Sequence, residues 1–145
     1  MNNRGSGKVG EEIRTMITRM PGFESDAIQA IYVFGSTVLG NDTPSSDIDI
    51  AFLLAPGTYK TDPVLAIQPP YLIATQLGMR MNRQTDVAIL NAASLEMAFE
   101  IITTGECVYE KDASQRLEYE IALKGMFFDF KPFLDELRAN CVPES

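Results

Sequence analysis

The sequence predicts an α/β domain of the α+β kind: a small mixed sheet flanked by helices and followed by a helical C-terminal tail. Short runs rich in β-branched and aromatic residues alternate with segments of helical apolar spacing, and Gly, Pro, Asn and Asp separate most of them. At 145 residues the chain has room for one well-cored domain and not for two. Its 46% hydrophobic and 22% charged residues are the balance of a chain that folds.

The elements follow in order. Val9, Ile13, Met16, Ile17 and Met20 recur at helical spacing up to Pro21-Gly22, which predicts a first amphipathic helix. Ala27 to Phe34 predicts a buried strand that stops at Gly35-Ser36, and Thr37 to Leu39 has room for one helical turn before Gly40. The turn cluster Asn41 to Ser46 leads into a second strand, Asp47 to Ala55, closed by Pro56-Gly57. Asp62-Pro63 reads as N-cap and first helical position of a segment that Pro69-Pro70 should break, its second piece ending at Gly78. A third strand is expected over Thr85 to Leu90, a helix over Ala93 to Thr104 with Gly105 at its end, and a short edge strand over Cys107 to Tyr109. Asp112 with Gln115 resembles a capping box opening a last helix, in which Pro132 is an expected kink point.

Composition removes most chemistries. The chain has no histidine, which excludes Ser-His-Asp and Cys-His nucleophilic sites and nearly all zinc sites, so catalysis must rest on carboxylates. Cys107 and Cys141 match no metal spacing, and Gly5-Ser6-Gly7-Lys8 fails as a P-loop because Val9 stands where Ser or Thr is needed. No signal peptide or membrane span is legible, so a cytoplasmic protein with no membrane partner is expected. Twenty acids against 12 bases argue against direct binding to a nucleic-acid backbone and favour cations. Residues 35–110 hold nine of those acids and only three bases.

Within that stretch, Asp47 and Asp49 are two apart on a predicted strand and so share a face, with Ile48 and Ile50 turned into the core. Two parallel carboxylates invite a divalent cation, although such a pair at a strand start is more often only its solvent face. Gly35-Ser36, separated from Asp47 by a spacer of ten residues, changes the balance. The glycine permits a tight strand-to-helix turn, and the Ser hydroxyl with the following N–H groups makes an anion pocket. A chance match of these four fixed residues is on the order of a few in a thousand at average composition.

Gly35-Ser36, a spacer of ten, then Asp47-Ile48-Asp49 closely resembles the signature of the polymerase-β-like nucleotidyltransferases. The resemblance implies that family's fold, with a third carboxylate on a later strand. Asp86 in Gln84-Thr85-Asp86-Val87 matches that position, its plainer reading being a strand-edge cap. The resemblance further implies two Mg²⁺ ions held by Asp47, Asp49 and Asp86, with ATP as substrate and Gly35 and Ser36 on its phosphates. Many relatives carry an Arg where this chain has Leu39; Arg80 and Arg83 are the nearest substitutes in sequence, equally readable as solvated loop charges.

Chains of this size in the family resemble the minimal nucleotidyltransferase antitoxins of type VII-like toxin–antitoxin pairs. The implied activity is transfer of AMP from ATP to a tyrosine of a HEPN-domain ribonuclease toxin, which silences it. Two alternatives stay open: a non-catalytic antitoxin acting by occlusion, and an enzyme whose acceptor is a small molecule such as an aminoglycoside. Residues 1–110 are expected to form the catalytic unit and residues 111–145 a helical tail that packs on it and on a partner. Phe127, Phe128, Phe130 and Phe133 are half of the chain's eight phenylalanines, more than one helix can bury against so small a domain. Either some face outward as an interface or the helix lies in a groove of its own sheet.

Overall fold

The computed structural model describes residues 8–20, 23, 26–38 and 46–141. Leu39, the cluster Asn41 to Ser45, Pro21-Gly22 and Gly5-Ser6-Gly7, each assigned a role above, lie outside the described residues.

Four strands form one mixed sheet. β1 (Ile28–Phe34) and β2 (Ile48–Leu54) pair antiparallel at its centre, β3 (Thr85–Ile89) adds to β2 in parallel, and β4 (Glu106–Glu110) closes the other edge antiparallel to β1. Both central strands are apolar on both faces, as a sheet covered twice requires. On one face Ile31, Ile50, Phe52 and Leu54 pack against Ile13 and Ile17 of α1 (Lys8–Thr18) and Ile73 and Leu77 of α4 (Gln68–Met81). On the other, Ala30, Tyr32, Ala51 and Leu53 meet Ala98, Ile101 and Ile102 of α5 (Leu95–Thr104) and Leu123 of α6 (Ala113–Cys141). The expected mixed sheet between helices, with a helical tail, is the architecture observed.

Where boundaries differ from expectation, proline and glycine chemistry gives the reason. Pro56 does not simply end β2 but opens α2 (Pro56–Thr61), since a residue with fixed φ and no N–H suits the first helical turn. Asp62 caps α3 (Pro63–Ala66) as expected, its carboxylate accepting from the Leu65 N–H at 3.1 Å. Pro69-Pro70 does divide the segment into a short piece, α3, and a second, α4, but the break falls at Ile67 because both prolines sit in the first turn of α4. Gly78 does not end α4. The helix runs on to Met81 and stops at Asn82 in the left-handed region (φ 53°); a Cβ at Gly78 would lie 2.7 Å from the Arg83 carbonyl as the chain turns back.

Ser94 caps α5 by accepting from the Met97 N–H. At the head of α6, Asp112 accepts from the Ser114 N–H, but Gln115 bonds Gln29 of β1 across the domain, so the box is not closed. α6 runs as one helix of 29 residues with Pro132 inside it. Its first half is pinned to the sheet: the Tyr32 hydroxyl donates to Glu120 at 2.7 Å, and Arg116 bridges Glu120 and Glu110. Burial first, then Glu120, pushes the Tyr32 phenol far above its ordinary range, so it stays a donor.

One buried carboxylate is poorly served. Glu106 of β4 is nearly covered, its Oε1 accepts no hydrogen bond from the described residues, and Arg14 reaches only to 3.9 Å. Burial, helped by Glu11, raises its pKa above the ordinary 4.5, against the pull of Arg14. The fold therefore favours the protonated form, and stability falls as pH rises from the unfolded value through the folded one. Glu106→Gln is expected to melt above wild type at pH 8, and the gap should shrink by pH 5; a gap that widens on acidification would contradict this.

Candidate active site

The site lies at one end of the two central strands, where three backbone facts converge. β1 stops at Phe34, opposite Asp49 of β2. Gly35 then turns the chain into a short 3-10 turn, Gly35–Thr37, at φ +64°, a conformation that L side chains rarely adopt. The turn is fastened by the Val38 N–H to the Gly35 carbonyl and by the Asp49 N–H, which donates to Thr37 Oγ1 at 3.3 Å. Thr37 is buried and holds the turn against the strand that carries the carboxylates. Sequence reasoning did not single it out; its position immediately after Gly35-Ser36 was the available signal.

Alternation along the strands sorts the side chains. Ile48 and Ile50 enter the α1/α4 side of the core, which places Asp47 and Asp49 on the opposite face. The parallel register of β2 and β3 sets Asp49 directly beside Asp86. Asp49 is half-buried while Asp47 and Asp86 are exposed. Burial first, then the charges of Asp86 and Asp47 and a hydrogen bond with Asp86, raise the Asp49 pKa. Gly35 is pressed against this group: a Cβ there would stand 2.2 Å from Asp49 Oδ2. Ser36, next along and half-buried, shares the turn.

The structure thus gathers Gly35, Ser36, Asp49 and Asp86 at one end of the sheet, with Asp47 near enough to act on Asp49. Among the described residues no three acidic or sulfur side chains are drawn into a single metal cage. The donor set nevertheless fits a hard divalent cation: carboxylate oxygens on adjacent strands, and a raised Asp49 pKa that a bound cation would reverse.

Of the two candidate arginines, Arg83 is anchored through its Nε beside the site. Its Nε donates to the Ser46 carbonyl at 2.7 Å, and the Ile48 N–H bonds the Gln84 carbonyl beside it, so this corner holds the segment leading into β2. Arg80 is exposed on the last turn of α4.

Residues 21–114 match the family model described as Polymerase beta, Nucleotidyltransferase. The chain belongs to this nucleotidyltransferase family. The match spans β1 through β4 and ends as α6 begins. Among solved structures, the chain is similar to one in a toxin–antitoxin complex with AMP-PNP, at 21% identity and TM-score 0.59, covering 90% of this chain and 98% of that one. It is similar, at 20% identity and TM-score 0.58, to a chain in a complex of tri-AMPylated Shewanella oneidensis HEPN toxin with MNT antitoxin, covering 88% and 98%. A third likeness, at 18% identity and TM-score 0.53 over 89% and 96%, is to a chain of the toxin–antitoxin MntA-HepT. At such identities these likenesses establish the fold. No curated protein matches the sequence. Among the described residues, no helix is long and apolar enough to cross a membrane.

Proposed function

We propose that this nucleotidyltransferase is the antitoxin of a HEPN-domain toxin and transfers AMP from ATP to a tyrosine hydroxyl of that protein in the cytoplasm. The observation that carries the catalytic half is the alignment of Asp49 with Asp86 under the Gly35 turn, in a chain of this family. The antitoxin half is supported by a fold shared over nearly the whole chain with chains from HEPN toxin–MNT antitoxin complexes. Residues 1–110 are the catalytic unit in this reading, and residues 111–145 the part turned toward the partner.

Asp47, Asp49 and Asp86 would hold Mg²⁺, two ions by the family pattern. When bound, the metal neutralises phosphate charge and lowers the pKa of the attacking hydroxyl. The protein's own contributions are positional. Ser36 and the N–H groups of its turn orient the β- and γ-phosphates, so that the α-phosphorus lies over the carboxylate face. The tyrosine oxygen forms a new bond to the α-phosphorus, the bond from that phosphorus to the α–β bridging oxygen breaks, and pyrophosphate leaves. Asp86 accepts the phenolic proton in this scheme. A bulky anion beside an RNA-binding site would both block it and repel phosphate.

Incubation of the chain with α-labelled ATP, Mg²⁺ and the HEPN-domain protein encoded beside it tests the reading. Label should appear on the HEPN protein with wild type and not with the Asp47→Asn, Asp49→Asn double variant. Undiminished neutralisation by the double variant would instead establish occlusion, and absence of protein label would leave a small-molecule acceptor.

A further inference from the structure

Along α6, Tyr119, Leu123, Met126, Phe130, Phe133 and Leu137 are spaced alternately by four and three residues, the period of a helix that packs lengthwise against another helix. Leu123 is only 5% exposed and lies in the core against α5, but the seam then runs off the domain: Met126 is 55% exposed, Phe130 45%, Phe133 53% and Leu137 43%. The neighbouring row stays engaged. Phe127 stacks on Phe99 of α5, and Arg138 bonds Glu96 at the start of α5, so the helix is held with one flank closed and this seam open. Phe130 and Phe133 brace each other edge to face, with ring centroids 5.3 Å apart.

Two further observations say what covers it. Phe133, Glu136, Leu137 and Asn140 line a hollow of about 100 Å³. Their spacing, i, i+3, i+4 and i+7, is that of the four-residue hole that receives one side chain from a facing helix. The open flank carries Asp129 and Glu136, both exposed and in no ion pair among the described residues, whereas Lys131 and Arg138 are used internally on Asp135 and Glu96. A second copy laid antiparallel would bring Asp129 and Glu136 against the same acids, and laid parallel would bring them against the apolar closed flank. Self-pairing is therefore disfavoured in both orientations.

We propose that this seam docks one amphipathic helix of the protein acceptor, with an aliphatic side chain in the hollow at Phe133 and Leu137 and basic residues along the edge facing Asp129 and Glu136. The proposal rests on the protein-acceptor reading above and adds where that partner is held.

The test uses the full chain and the HEPN-domain protein encoded beside it, measuring both complex formation by calorimetry and label transfer. Phe130→Ser with Phe133→Ser should leave the chain folded with Tm lowered by only a few degrees, since the rings are about half exposed and brace chiefly each other, and should weaken the complex by about 30-fold. Asp129→Lys with Glu136→Lys should weaken it by about tenfold at low salt, and the difference should shrink as salt rises. Unchanged affinity in the Phe pair, with wild type still binding and labelling the HEPN protein, overturns the seam and leaves the acceptor reading standing. Failure of wild type to bind or label the HEPN protein overturns both. A wild-type dimer that becomes monomeric on Phe130→Ser, Phe133→Ser overturns the assignment in favour of a second copy.

Discussion

An Asp49→Asn chain is expected to lose nucleotidyl transfer by at least about a thousandfold, roughly 4 kcal/mol of transition-state stabilisation, without losing stability. Asp49 is the carboxylate at the centre of the site: it lies beside Asp86 in register, under Gly35, and within the field of Asp47. Asparagine keeps its shape and one oxygen but removes the charge that the proposed metal–triphosphate complex requires. In the absence of metal that charge is a burden, because burial and two neighbouring carboxylates already disfavour it. The variant should therefore melt at or above the wild-type temperature in EDTA. Adding Mg²⁺ with ATP should raise the Tm of wild type and leave the variant nearly unmoved. A variant that binds metal normally and retains transfer would remove Asp49 from the mechanism. One that melts well below wild type in EDTA would mean that its charge serves the fold.

The parts of this site that follow local rules were legible in the sequence. Period-two alternation placed Ile48 and Ile50 inside and Asp47 and Asp49 together on the other face, and a glycine at a strand end announced the turn at Gly35. The alignment of Asp49 with Asp86 was not legible from spacing, because the register of a parallel pair is set by the α4 crossover between the strands and by the packing of both faces. It was implied only by family resemblance. Thr37 was missed for a related reason: its hydroxyl matters because the Asp49 N–H points at it across 12 residues, which only the folded chain shows. The prolines marked the ends and breaks, but not the helices they begin or the residue at which each break falls. Pro56 and Pro69-Pro70 carry the same local signal whether they only end the preceding element or also open the next helix, and tertiary packing decides. The tail divided between its two readings, with Phe127 stacked on Phe99 and Phe128, Phe130 and Phe133 exposed.

Gly35→Ala should damage fold and chemistry together, and the two costs can be separated. An alanine at φ +64° pays about 1–2 kcal/mol in backbone strain wherever it occurs. Here its Cβ would also meet Asp49 Oδ2 at 2.2 Å and Cγ at 3.0 Å, so the carboxylate must move or the turn must open. Repacking of that kind adds about 1–3 kcal/mol, and the sum should lower Tm by roughly 10 °C. Moving the carboxylate shifts it away from Asp86, so transfer should fall even at temperatures where the variant is fully folded. Combining Gly35→Ala with Asp49→Ala resolves the two effects. With the carboxylate gone the clash is relieved but the positive φ remains, so the glycine substitution should cost only the strain component in that background. Equal cost in both backgrounds would mean that Gly35 serves the turn alone; a smaller cost without Asp49 would show that the glycine is there to make room for the carboxylate beside Asp86.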